Sequence, residues 1–168
     1  MEDVLKNPSV IRIIAEMQAR GISGEVKILS DSARSAAEAA SALEIEVGQI
    51  ASSIVFRLPD GRPLLVITSG AHRVDTQLVA TALGVEELHR ADADFIKSAS
   101  GISIGGVSPF GWKSDGTFAN PEPVILIDVA LAAFEIIWAA AGHPHAVFPT
   151  TFSELQKQTN ARPLIVGD

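Results

Sequence analysis

Apolar residues recur along this chain in short bursts bounded by Gly, Pro, Asp and Ser. Val10, Ile11, Ile14 and Met17 fall at helical spacing after Asn7-Pro8 and stop before Gly21, which predicts a helix from about Pro8 to Arg20. Val26 to Leu29 is short and branched, a strand, and Asp31 or Ser32 can then cap an alanine-rich helix running to about Leu43. Ser53 to Leu58 and Pro63 to Thr68 flank Pro59-Asp60-Gly61-Arg62, whose Asp-Gly pair predicts a hairpin of antiparallel strands. Asp75 is placed to cap a helix ending at Gly84, and Asp92 or Asp94 another around Phe95 to Ala99. Val124 to Ile127 and Ile136 to Ala140 read as buried strands, Ser153 to Thr159 as a short helix, and Pro163 to Val166 as a last strand.

Helices and strands mix here without a regular βαβ repeat. That order predicts an α+β or mixed α/β domain with a curved, largely antiparallel sheet. At 168 residues, with 47% hydrophobic and 20% charged positions and no linker-like tract, residues 1–168 are expected to form a single domain.

Composition narrows the chemistry. No cysteine is present, so thiolate nucleophiles, disulfides and cysteine metal sites are excluded. The four histidines form no His-Glu-x-x-His pattern, and neither a metal nor a cofactor is expected. No apolar run approaches the ~20 residues of a membrane span, and Met1-Glu2-Asp3-Val4-Leu5-Lys6 is not a basic leader, so no membrane partner and a cytoplasmic location are expected. The net charge of −7 argues against broad electrostatic binding of nucleic acid, leaving room only for a few cations such as Arg57, Arg73, Arg90, Lys97 or Lys113.

The candidate site is the glycine-rich stretch Gly101 to Gly111. Four glycines, Pro109 and serines interrupt an aliphatic sequence, a composition that can present backbone N–H groups to a ligand. It is not a phosphate-binding P-loop, because Trp112 separates Gly111 from Lys113 and Pro109 removes a donor. Nor is Ser108 in a nucleophile elbow, since the spacing is G-x-S-x-x-G with proline directly after the serine. Asp75 and Asp128 sit where helix capping is the simplest use of a short carboxylate.

Ile104-Gly105-Gly106-Val107-Ser108-Pro109-Phe110-Gly111 resembles the glycine-x-x-x-proline loop of the YbaK/ProX family, the single-domain editing proteins related to the insertion domain of prolyl-tRNA synthetases. In order along the chain, Gln49 to Arg57 resembles the family's first core strand, Gly70 to Asp75 its turn into the next helix, Pro123 to Asp128 a later strand, and Ala141-Gly142-His143-Pro144-His145 a segment that carries a pocket histidine. The likeness runs from about Gly24 to Val166.

The resemblance implies a partly barrel-like sheet flanked by helices and an aminoacyl-tRNA deacylase acting on mischarged tRNA, with no cofactor. It implies a catalytic set of Gly105, Gly106, Ser108, Pro109 and His143, and a substrate-binding set of Ser52, Phe110, Gly111, Asp128 and Gly142. The implied partners are the acceptor end of a mischarged tRNA and a prolyl-tRNA or other aminoacyl-tRNA synthetase. One position departs from the pattern: Ser52 stands where many members carry a pocket lysine, so no role resting on that cation transfers. A non-catalytic binding module for aminoacyl-tRNA, an amino acid or a synthetase is the alternative.

Overall fold

The computed structural model describes residues 2–168. Its helices are α1 (Glu2–Leu5), α2 (Pro8–Ala19), α3 (Ala36–Leu43), α4 (Thr76–Leu83), α5 (Ala93–Ser100) and α6 (Phe152–Thr159). Its strands are β1 (Lys27–Ile28), β2 (Ile50–Arg57), β3 (Pro63–Ser69), β4 (His89–Arg90), β5 (Val124–Asp128), β6 (Ile137–Ala140), β7 (Ala146–Thr150) and β8 (Arg162–Leu164). Single 3-10 turns at Val47–Gln49 and Val129–Ala133 precede β2 and follow β5.

Local chemistry sets the helix ends. The Asn7 side chain accepts the N–H groups of Ser9 and Val10, with Pro8 in the first turn of α2. Asp75 caps α4, Asp92 caps α5, and Gly84 and Gly101 end these helices in the left-handed conformation. The start of α3 differs from expectation: Ser35, not Asp31 or Ser32, accepts the Glu38 N–H, so the helix begins at Ala36. The hairpin between β2 and β3 closes as its Asp-Gly pair predicts, with Gly61 N–H donating to Leu58 and Leu58 N–H to Arg62.

The eight strands form one sheet in the order β1-β7-β6-β2-β3-β5-β8, with β4 paired to β2 beside that path. It is mixed α/β, as the order of elements predicts, but the sheet combines both senses. β1/β7, β6/β7, β2/β3 and β2/β4 are antiparallel, whereas β2/β6, β3/β5 and β5/β8 are parallel. The sheet is not closed: among the described residues β1 and β8 end the order without pairing to each other. β7 was not foreseen; Ala146-Val147-Phe148 is buried there and continues the sheet to β1.

Alternation along β2 and β3 separates the two larger of three buried clusters. Ala51, Val55, Leu65 and Ile67 face the larger core, which also holds Ile13, Ile102, Phe110 and Phe148. Leu64, Val66 and Leu126 face a second core beneath α4. The decisive irregularity is on the outer edge of β2. There β6 pairs only with Ile50 and Ala51, and β4 only with Phe56 and Arg57. Between them Ser52 to Val55 have no strand alongside, and the sheet opens.

Candidate functional site

That opening is the mouth of a cleft of about 700 Å³, lined by Ser52 to Phe56 of β2, Thr68 to Gly70 at the end of β3, His72, Arg73, and Ala33 to Ala36 before and within α3. Ile104, Gly105 and Val107 of the glycine loop close its far side, with Arg90 and Ile96. Its size is that of an ordinary small-ligand pocket. Among the charged residues that line it, Arg34, Arg73 and Arg90, every one is a cation. None of the three makes a salt bridge to a described residue. In a chain of net charge −7 this is a local inversion of sign.

The glycine loop is fastened from behind by α2. Arg12 Nε donates to the Gly111 carbonyl at 3.0 Å, Glu16 accepts the Gly111 N–H at 3.1 Å, and Ser9 Oγ donates to the Gly101 carbonyl at 3.2 Å. Phe110 anchors the loop in the core, its ring 5.9 Å from that of Phe148. Within the loop, Gly106 N–H is used by the Ser103 carbonyl, and the Gly106 carbonyl accepts the Gly142 N–H at 2.8 Å. Gly105, at φ +95°, keeps its N–H without an acceptor among the described residues. A side chain there would be strained by the left-handed backbone.

Beyond Gly105 lies a smaller cavity of about 340 Å³, lined by Asn7, Arg12, Arg34, Lys97, Gly142 and His143 among others. Arg34 borders both cavities. His143 Nδ1 accepts the His145 N–H at 3.0 Å, which leaves the ring proton of the neutral form on Nε2. Burial, then the charges of His145 and Arg34, hold its pKa below the usual histidine value. It is therefore a neutral hydrogen-bond donor around pH 7.

A second histidine is arranged in the opposite sense. His72 Nδ1 lies 3.0 Å from Asp128 Oδ2, an oxygen that also accepts the Ser69 N–H at 3.0 Å and the Thr68 hydroxyl at 3.3 Å. Asp128 Oδ1 takes the Ala130 N–H at 3.0 Å, capping the turn after β5. The Asp128 side chain is only 1% exposed, and His72 is half-buried in the cleft wall.

Over residues 30–158 the chain matches the aminoacyl-tRNA editing domain. It belongs to that family. A crystal structure described as that of a proposed trans-editing enzyme for prolyl tRNA synthetase superposes with a TM-score of 0.85 at 32% identity, covering 96% of this chain and 98% of the other. An uncharacterized Bacillus subtilis protein, YwhH, is 25% identical over 120 residues, 71% of either chain. A proline–tRNA ligase of Limosilactobacillus fermentum is 34% identical over 101 residues, 57% of this chain, which spans only 18% of that enzyme.

Within this editing domain the residues singled out from sequence separate into groups. Ser52 and Gly105 meet in the large cleft, and Gly142 and His143 line the smaller cavity next to it. Gly106 is buried between Ser103 and Gly142 and lines neither. Ser108, Pro109, Phe110 and Gly111 are buried and border neither cavity. Ser108 Oγ accepts the Phe110 N–H, and its carbonyl accepts the Trp112 indole N–H at 2.7 Å, so it shapes the turn. Asp128 is likewise a buried anchor rather than a cleft surface. Of the cations expected, Arg73 and Arg90 border the large cleft and Lys97 the smaller, whereas Arg57 and Lys113 border neither.

Sequence reasoning passed over Arg34, Thr68 and His72. The only signal was the placement of His72 just after an apolar strand and of Asp128 at the end of another. Their meeting depends on the parallel pairing of β3 with β5, which aligns Ile67 with Ile127. Among the described residues no group of three His, Cys, Asp or Glu side chains is placed to hold a metal ion.

Proposed function

We propose that this editing domain hydrolyses, in trans, the ester of a tRNA mischarged with a small amino acid. The observation that carries the reading is the cleft at the open edge of β2, where charged lining of one sign stands beside the unpaired Gly105 N–H. The terminal nucleotides of a tRNA are single-stranded and anionic, and a few arginines at a cleft mouth hold such an end without a basic surface elsewhere.

An aminoacyl ester is already activated, so a positioned water and fixed donors at the developing oxyanion suffice. One such donor is worth ~2.7–4 kcal/mol of barrier. Gly105 N–H supplies it, with His143 Nε2–H as a second donor near the loop. The buried residues Gly106, Ser108, Pro109, Phe110 and Gly111 act by holding Gly105 in register, Gly142 by tying the loop to β6, and Ser52 by hydrogen bonding at the cleft wall.

Size sets the cargo. One methylene changes binding in an apolar pocket by only ~1–3 kcal/mol, so a synthetase that activates a smaller analogue needs a second site to remove it. The likeness to a segment of a proline–tRNA ligase supports prolyl-tRNA synthetase as the enzyme whose errors are cleared.

The test is release of amino acid from alanyl-, seryl-, threonyl- and cysteinyl-tRNA, compared with correctly charged prolyl-tRNA and with a synthetase present or absent. Selective hydrolysis supports the reading and names the cargo; no hydrolysis of any ends it. The second reading, binding without hydrolysis, is favoured by one feature: the cleft wall carries the short hydroxyl of Ser52 and no ammonium group. Gain of hydrolysis by Ser52→Lys from an inactive starting protein would select it.

A further inference from the structure

The geometry points to His72 as the general base of the deacylation, oriented by Asp128; this rests on the editing function proposed above and adds the group that moves the proton. The turn carrying His72 is fixed from several sides. Gly70 N–H donates to the Ile50 carbonyl at 2.8 Å, His72 N–H to the Ser69 carbonyl at 3.0 Å, and Ser69 Oγ to the Gly48 carbonyl at 3.0 Å. The imidazole is fixed at its other end by Asp128 Oδ2 at 3.0 Å. Asp128 is itself immobilised by the Ser69 and Ala130 N–H groups and the Thr68 hydroxyl. Backbone and ring are thus both held, as a proton-transfer group requires.

The carboxylate decides the tautomer. Oδ2 is an acceptor for every neighbour it touches, so Nδ1 of His72 carries the proton and the neutral ring keeps its lone pair on Nε2. Nε2 has no partner among the described residues, and the ring forms part of the cleft wall with Ser52 and Thr68. His143 is the converse, its Nδ1 occupied as an acceptor and its Nε2 a donor. The large cleft therefore holds an imidazole able to take a proton and the adjoining cavity one able to donate a hydrogen bond, the division of roles that ester hydrolysis uses.

The step balances without a co-reactant. Nε2 of His72 takes a proton from water as the water oxygen bonds to the ester carbonyl carbon, and the carbonyl oxygen becomes the oxyanion facing Gly105 N–H. Collapse breaks the bond between that carbon and the ribose oxygen, which receives the proton back from Nε2. The products are a free amino acid and a tRNA with its terminal hydroxyl restored. Asp128 touches no substrate and is a positioning residue.

The charged groups around the ring are few. Asp128 approaches from β5, Arg73 is its chain neighbour, and Arg34 and Arg90 border the same cleft. Asp75 caps α4 just beyond, and the Asp168 carbonyl accepts the Arg73 N–H. Among the described residues no carboxylate side chain lines the cleft.

The experiment is kcat and KM for the cognate mischarged tRNA from pH 5 to 8 for the full chain, His72→Gln, Asp128→Asn and His143→Gln, each with its melting curve. For His72→Gln the expected result is a loss in kcat of about 10²- to 10⁴-fold with KM little changed. The fall in rate on acidification, present in the starting protein and in His143→Gln, disappears in His72→Gln. Asp128→Asn lowers kcat in the same direction; because it alters a buried cluster, His72→Gln, at a half-exposed site, is the deciding variant. Wild-type kcat in His72→Gln overturns the base and leaves the editing function standing. So does a reduced kcat that tracks a lowered melting temperature and keeps the wild-type pH dependence. No hydrolysis by the unmodified protein removes both the function and the base.

Discussion

Gly106→Ala adds one methyl where the backbone of Gly142-His143 already stands. Its Cβ would lie 2.5 Å from His143 N, 2.6 Å from Gly142 C and 2.8 Å from His143 Cα. These are backbone atoms with no rotamer to yield, and the two segments are joined by the 2.8 Å bond from Gly142 N–H to the Gly106 carbonyl. The φ of Gly106 lies outside the left-handed region, so the cost is steric. Overpacking of this kind costs about 1–3 kcal/mol. For a chain of this length each kcal/mol lowers Tm by about 2–4 °C. Restoring ordinary contact moves the two loop segments apart by on the order of 1 Å, a displacement that costs a reacting centre about 10²-fold in rate. Gly61→Ala is the contrast: φ is +90° with nothing within 4 Å of the added Cβ. Its strain of about 1–2 kcal/mol is offset by about 0.4–1 kcal/mol from the stiffened unfolded chain, and deacylation is unchanged. Circular dichroism melts, urea midpoints and amino acid release on one preparation of each variant separate the two. A Gly106→Ala protein that melts and deacylates like the parent would refute the packing of the glycine loop against Gly142-His143.

Arg34→Gln, at the border of both cavities, weakens binding of a short single-stranded RNA ending in CCA and lowers the slope of log K against log salt by about 0.7, read by fluorescence anisotropy; an unchanged slope would mean that Arg34 meets no phosphate. His143, whose pKa is depressed in the fold, is protonated more readily in the unfolded chain, so its neutral form favours the fold above 6.5 and stability falls as pH drops below that value. His143→Gln flattens this part of the curve of Tm against pH between 5.5 and 7.5, and an unaltered curve would assign the acid sensitivity elsewhere. Asp92→Ala removes the acceptor for Phe95 N–H at 2.8 Å and costs about 1 kcal/mol, seen as a drop of a few degrees in Tm.

Much of this protein was legible along the chain because it is local chemistry. Asn7-Pro8, Asp75 with Gly84, and Asp92 with Gly101 mark helix ends through hydrogen bonds that span at most four residues. Asp60-Gly61 closes its hairpin for the same reason. The spacing of the glycine loop excluded a P-loop and a serine elbow, and its likeness to editing proteins extended to the family the chain belongs to.

Tertiary structure decided what lies beyond a few residues' reach. Whether Ser108 faces a ligand or the core depends on α2, about ninety residues earlier in the chain, and on Phe148, 40 residues later, and it is buried. The sense of the sheet followed from which strands lie side by side: β3 with β5 in parallel joins His72 to Asp128 across 56 positions. The cleft itself is a gap in pairing, where β6 leaves β2 at Ala51 and β4 meets it at Phe56. Periodicity reports which face of a strand is buried, but carries no record of the neighbour that is missing from its edge.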